Sequence, residues 1–329
     1  MSAVSSAVAV GGGTGLPGVL RCLVELGYET AAVVTMADDG GSSGKLRTEL
    51  GMLPPGDIRN CLVALGDAES PFASLFQYRF PHGEGLAGHA LGNLMIAALA
   101  DITGSFPAAI EEAGRLLGTR GRVLPSTLED ISLHATDSAG NPVSGQALIA
   151  TSCGPFAHVR LEPPDPEAYP PAAEAIRQAE LVVVGPGSLF TSLVPNLLVP
   201  GIADALRETR ARRVYVCNVA NQRGETGGMD AADHFEVLLG HGLDGVFDDV
   251  VVHGADQTPA QPGRCLVYDG SKRPVEAVDA GPDVIARIEA RGTRIVVADV
   301  VDPIDRRHHS RSKLCRVLGG FADSSVVHG

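Results

Sequence analysis

Short, unbroken apolar runs recur along the chain, and each gives way to a turn and then to a segment of helical periodicity. The runs fall at residues 7–10, 31–35, 181–184, 214–217, 250–252 and 295–297. A strand that is apolar on both faces has to be covered on both, which a parallel sheet held between two helical layers provides. Amphipathic stretches near residues 16–26, 57–66, 90–101, 107–117, 171–179, 199–210 and 230–241 fill the gaps. The alternation predicts a doubly wound, Rossmann-like α/β fold with a mainly parallel sheet. Residues 120–162 break the pattern with alternating strands around a turn-rich 137–142, which reads as an antiparallel β insertion. The proline-rich stretch 163–171 then returns the chain to the main sheet. The expectation is one domain over residues 1–321 and a flexible tail over 322–329.

Composition restricts the partners. The 329 residues are 44% hydrophobic and carry a formal net charge of -13, a field that repels phosphate backbones and speaks against nucleic acid. A small anionic nucleotide can still bind where backbone amides and helix N-termini concentrate. The six cysteines, Cys22, Cys61, Cys153, Cys217, Cys265 and Cys315, show no CxxC spacing and read as buried free thiols of a reducing compartment. The apolar N-terminal stretch lacks a basic flank and is too short for a membrane span. The expected location is therefore the cytoplasm.

Two glycine-rich turns follow apolar runs. In the first, Gly11-Gly12-Gly13-Thr14-Gly15-Leu16-Pro17-Gly18, glycines let amides approach a phosphate and Pro17 suits the first turn of a helix. Gly13, Gly15 and Gly18 formally satisfy GxGxxG, and Asp38 follows about one βα unit later, so the literal reading is an NAD-dependent dehydrogenase. The next segment, Asp38-Asp39-Gly40-Gly41-Ser42-Ser43-Gly44-Lys45, goes beyond that fingerprint. Asp57 then reads either as a helix N-cap or as an oxygen ligand, with Asp39, of a divalent cation such as magnesium. In the second turn, Gly185-Pro186-Gly187-Ser188-Leu189-Phe190-Thr191, the amides and the hydroxyls of Ser188 and Thr191 could hold phosphate or ribose. His89 and Asn93, four residues apart, could meet a base or sugar or could be a satisfied core pair. Asn196 and Asn218 are candidate contacts at the strand ends.

The long motifs of the chain carry a family resemblance. They are GGGTGL at 11–16, TMADDGGSSGKLR at 35–47, LPPGDIRN at 53–60, GHALGNLM at 88–95, GRVLP at 121–125, the stretch 184–206, the stretch 217–234 and Arg307-His308. Together, over about residues 8–318, they resemble the YvcK, or gluconeogenesis-factor, branch of the CofD-like proteins. The resemblance implies a CofD-type Rossmann variant that binds a UDP-sugar such as UDP-N-acetylglucosamine or UDP-glucose. It also implies a regulatory role in gluconeogenic carbon metabolism, cell-wall growth and cell shape. The site it implies comprises Gly12, Gly13, Thr14, Gly15, Leu16, Asp38, Ser42, Ser43, His89, Asn93, Gly185, Gly187, Ser188, Thr191, Asn196, Asn218, Arg307 and His308, with Arg307 as the cation for the diphosphate and Tyr268 the only local tyrosine to stack on a base. The one candidate cofactor is a divalent cation such as magnesium, and a homo-oligomer and a regulatory protein partner are both compatible. The enzyme alternative is a CofD-like 2-phospho-L-lactate transfer onto a deazaflavin precursor, supported by an aspartate pair and a metal.

Overall fold

The computed structural model describes residues 5–137, 139–152, 154, 156–222, 224–254, 267–268 and 274–324. Its strands, in chain order, are β1 (Ser6–Gly11), β2 (Glu29–Val34), β3 (Gly121–Pro125), β4 (Ser132–Asp137), β5 (Pro142–Ser144), β6 (Phe156–Glu162), β7 (Leu181–Val184), β8 (Arg212–Val216), β9 (Asp249–His253), β10 (Val267–Tyr268), β11 (Pro274–Val275) and β12 (Arg294–Ala298). Seven of them form one sheet in the order β12-β9-β8-β7-β1-β2-β3, and every neighbouring pair in it is parallel. Starting from β1 the chain winds outward through β2 and β3, then returns to the middle and winds the other way from β7. The reversal lies between β1 and β7, and in such sheets ligands bind beyond the strand C-termini at that point.

The apolar runs are the strands, and all but one are buried: Val10, Val182, Val183, Val184, Val214 and Val250 have no exposed surface, whereas Val297 in the run 295–297, on edge strand β12, is 50% exposed. The α-helices among the described residues are α1 (Leu16–Glu25), α2 (Gly41–Leu50), α3 (Gly56–Leu65), α4 (Pro71–Gln77), α5 (Leu91–Thr103), α6 (Phe106–Leu117), α7 (Gln146–Ile149), α8 (Pro170–Gln178), α9 (Val194–Leu197), α10 (Pro200–Glu208), α11 (Ala231–Leu238), α12 (Pro282–Glu289) and α13 (Arg311–Ser324). No single helix among the described residues is long and apolar enough to cross a membrane. Asp230 and Asp233, which precede an apolar helical face in the sequence and read there as its caps, exchange backbone hydrogen bonds at the start of α11, and Arg287 grips both.

Four expectations change. The antiparallel insertion is real but smaller, with order β5-β4-β6; the stretch 121–125 pairs in parallel with β2 as the edge of the main sheet. The Gly41–Gly44 stretch is the first turn of helix α2 rather than a loop. Glycine and serine hide the helix because α2 has almost no amphipathic pattern, and its closeness to its neighbours needs the small residues: a Cβ on Gly44 would strike the carbonyl of Asp39. Cys22 and Cys315 are joined in a disulfide, with Cα atoms 4.9 Å apart across 293 residues of sequence, while Cys61 and Cys217 are free and buried. The apolar spacing that suggested free thiols could not show that α1 and α13 lie side by side. Helix α13 continues to Ser324, into the expected tail. Cys153, Cys265, residues 325–329 and the side chain of Tyr268 lie outside what the structure describes.

Candidate functional site

At the C-terminal ends of β1 and β7 the two glycine turns touch. A Cβ on Gly15 would strike the carbonyl of Pro186, and one on Gly187 would come within 3.3 Å of the carbonyl oxygen of Gly12. Only residues without side chains can bring two backbones this close. Gly13 adopts φ +65° and Gly185 φ +79°, conformations that favour glycine.

Each turn is held by one distant side chain. The Gly13 N–H donates to Asp57 Oδ2 at 2.8 Å, across 44 residues of sequence. The Asn218 side chain accepts from Gly187 N–H at 3.2 Å and donates to Gly187 O at 2.8 Å. The amides of Gly13 and Gly187, expected to face a phosphate, are thus occupied within the protein. Among the described residues no protein acceptor meets the amides of Gly12, Thr14 and Gly15, which line the start of α1, and Thr14 is exposed. Three unspent N–H groups at a helix N-terminus form an anion cradle. Leu16 is fully buried and anchors the helix instead of meeting solvent.

Asp57 is not an N-cap, because α3 has Pro55 at that position and no side-chain cap bond. Burial, followed by the charge of Asp38, pushes its carboxyl up to about 6. Asp39, its expected metal partner, is committed elsewhere: its two oxygens accept from the amides of Gln146 (2.9 Å) and Ala147 (2.8 Å), which fastens helix α7 of the insertion. The carboxylate that shares a field with Asp57 is Asp38. Asp38 keeps one oxygen on the Gly40 N–H at 3.0 Å, and its other is 2.8 Å from where a Cβ on Gly56 would be.

Beside this acid pair runs a buried polar chain. Arg59 Nη1 donates to Asn93 Oδ1 (3.1 Å), Asn93 Nδ2 donates to Ser42 Oγ (3.0 Å), and Ser42 Oγ pairs with His89 Nδ1 (3.1 Å). Ser43 Oγ accepts from Gly56 N–H at 3.1 Å. His89 and Asn93 therefore do converge, on Ser42, although helix α5 starts only at Leu91. Arg59 is 5% exposed and its Nε has no partner among the described residues. Burial and the neighbouring Arg79 lower its pKa, while Asp57 and Asp38 act against that.

Beyond the second turn, Ser188 Oγ donates to Gln222 Oε1 at 2.5 Å. Thr191 Oγ1 donates to Glu225 Oε1 at 2.7 Å, and Phe190 N–H reaches the other oxygen at 3.4 Å. Glu225 is 1% exposed with no cation against it among the described residues, and burial raises its carboxyl to about 7. Asn196 is fully buried, with Nδ2 on the carbonyls of Gly11 (3.1 Å) and Ser192 (2.7 Å); it ties β1 to the second turn rather than facing a ligand. Arg307 spends its fork on Asp305 (2.8 and 2.6 Å), and His308 lies 3.1 Å from the same carboxylate. The residue of that segment that enters the sheet edge is His309, whose Nε2 meets the carbonyl of Cys217 at 3.0 Å; burial lowers its pKa to about 4.

Known proteins share this fold. The profile of the family described as 2-phospho-L-lactate transferase CofD matches residues 7–301. This chain belongs to the CofD family. Within it, relatives called gluconeogenesis factor predominate. That of Bacillus subtilis is 42% identical over 293 residues, covering 88% of this chain and 89% of its own. The putative gluconeogenesis factor of Aquifex aeolicus is 42% identical and covers 97% of both chains. A crystal structure of a UPF0052-family protein from Bacillus halodurans superposes with a TM-score of 0.87 at 39% identity, covering 97% of this chain and 99% of that one. The chain is thus a CofD-family protein of the gluconeogenesis-factor, or YvcK, branch.

Sequence reading of this family member missed Arg59, Glu225 and His309 as site residues. Arg59 was visible inside LPPGDIRN, and its burial in a chain of net charge -13 was not. Glu225 lay in a Gly-Glu-Thr turn that carried no periodic signal.

Proposed function

We propose that this CofD-family chain binds a nucleoside diphosphate sugar, a UDP-sugar such as UDP-N-acetylglucosamine or UDP-glucose, and acts as a regulator of gluconeogenic carbon metabolism and of cell-wall growth and cell shape. The observation that carries the reading is the contact between the two glycine turns at the sheet's reversal point, with the amides of Gly12, Thr14 and Gly15 unspent. The diphosphate takes that cradle. Ser188, Asn218 and the Ser42–His89–Asn93 chain border the space a ribose or sugar would enter. Arg59, which lies in the field of Asp57 and Asp38, takes the place of Arg307 as the cation of the site, since Asp305 already neutralises Arg307.

One observation favours the transferase alternative. Asp38 and Asp57 repel one another, and two carboxylates beside a phosphate cradle suit a magnesium ion completed by ligand phosphates. In this proposal magnesium is held by Asp38 and Asp57, not by Asp39.

A thermal-shift panel separates the readings, because a ligand of the native state raises the melting temperature. UDP-N-acetylglucosamine or UDP-glucose should give the largest rise, with magnesium adding to it, and NADH none. A larger rise with a deazaflavin would move the assignment to the transferase, and one with NADH would overturn both.

A further inference from the structure

The opposite edge of the sheet carries a second concentration of charge that the glycine-turn site does not use. The N-terminal ends of β8, β9 and β12 open a concavity of about 400 Å³, lined by Thr209, Arg210, Arg212, Arg213, Asp248, Asp249 and Arg294 among others. That volume falls in the range of small-molecule sites. Four guanidinium groups meet two carboxylates there, so the spot is positive in a protein whose net charge is -13. The depression is shallow and open, and its local excess of positive charge attracts anions.

The pairing within the cluster is uneven. Arg213 is spent, with Nε and Nη2 on the two oxygens of Asp248 at 3.0 and 2.9 Å. Asp249, 1% exposed, is shared: it accepts from Arg212 Nε at 2.7 Å and from Arg294 Nε at 2.5 Å. The strand register sets this up, since Arg294 lies directly opposite Asp249. Arg212 also stacks over the Phe321 ring of α13, 4.7 Å from its centre, which fixes its plane. Among the described residues Arg294 uses only Nε, which leaves the donors of its two terminal nitrogens unmatched. Arg210 has no hydrogen bond or ion pair among the described residues and is exposed at the rim. Thr209 contributes no donor, because its hydroxyl bonds the carbonyl of Ile176 at 2.8 Å.

We propose that this pocket binds a small phosphate-bearing metabolite, with the phosphate dianion between Arg294 and Arg210. A fork anchored at Nε by a buried carboxylate presents its remaining N–H groups in a fixed plane, which is the geometry that recognises phosphate oxygens. The site is distinct from the glycine turns. Strand β8 joins the two, running from Arg212 here to Val216, two residues before the Asn218 that clamps Gly187.

The test is a titration followed by ³¹P NMR, at about 0.15 M salt so that diffuse attraction is screened. Inorganic phosphate is one probe and glycerol 3-phosphate the other, to separate free phosphate from an ester. Binding is measured on the Thr14→Glu protein, in which the glycine-turn cradle is blocked by charge, and again after adding Arg210→Ala or Arg294→Ala. Arg210→Ala removes a side chain with no partner and leaves the Asp249 pairing intact, so it tests the site even where Arg294→Ala disturbs the fold. The expectation is saturable binding of at least one probe to the Thr14→Glu protein, weakened roughly tenfold or more by Arg210→Ala. Absence of saturable binding in the Thr14→Glu protein would overturn the proposal, showing that phosphate enters only at the glycine turns. So would binding that Arg210→Ala leaves within about twofold, which would make the cluster a set of strand-end ion pairs.

Discussion

At the scale of single residues, the site is governed by two buried acids whose pKa values are raised rather than depressed. Asp57 titrates near 6 and Glu225 near 7, against ordinary values of 3.8 and 4.5, with burial the first cause in each. A group that holds its proton more tightly in the folded state stabilises folding at low pH and loses that advantage as pH rises through the folded value. The Asp57 contribution should therefore disappear between about pH 4 and 6, and that of Glu225 between about 4.5 and 7. Asp57→Asn keeps an acceptor for the Gly13 N–H and removes the titration. Urea unfolding at pH 4.5, 6 and 7.5 should show wild type losing about 2 kcal/mol relative to Asp57→Asn as pH rises. A difference that stays constant with pH would mean that Asp57 is not desolvated in the folded state. Asp57→Ala, which abandons Gly13, should weaken nucleotide-sugar binding as well.

At the scale of elements, helices and strands are locked by partners far apart in sequence. Asn218, at the end of β8, holds both the amide and the carbonyl of Gly187. Asn218→Ala should cost about 1–2 kcal/mol of stability through the two lost bonds and lower affinity for a UDP-sugar by roughly tenfold, measured by chemical unfolding and calorimetry on the same sample. Unchanged affinity would show the second turn to be self-supporting. The Cys22–Cys315 bond ties α1, which opens on the phosphate cradle, to α13. A cross-link closing so long a loop stabilises typically by about 2–4 kcal/mol. Cys315→Ser should therefore lower the melting temperature of the oxidised protein to that of reduced wild type. A melting temperature indifferent to reductant in wild type would contradict the cross-link.

The same scale shows where sequence stops informing. The strands were legible because β-branched apolar runs such as 181–184 have no other use in a chain of this kind, and the caps Asp230 and Asp233 because their partners lie three residues away. The insertion boundary slipped because the stretch 121–125 is short and half polar at its start, so nothing local assigned it to β2. Helix α2 was hidden by glycine. Gly13 and Gly187 were expected to offer free amides, and do not, since Asp57 and Asn218, 44 and 31 residues distant, claim them only once the sheet is built. Arg307 looked like the needed cation because Asp305, two residues before it, reads in sequence as one acid among many.

At the scale of the whole molecule, a chain with net charge -13 accepts an anion only where local positive charge, from backbone dipoles or from guanidinium groups, outweighs the general field. The sheet's reversal point supplies such a place at the N-terminus of α1. The direct test is isothermal titration of UDP-N-acetylglucosamine into wild type, Thr14→Glu and Arg307→Ala at about 0.15 M salt. Thr14 is exposed, so a glutamate there leaves the core untouched and brings a like charge against the diphosphate. The account predicts saturable binding to wild type, a loss of at least about tenfold in Thr14→Glu, and an effect within about threefold in Arg307→Ala. Absence of binding to wild type, or equal affinity of wild type and Thr14→Glu, would contradict it.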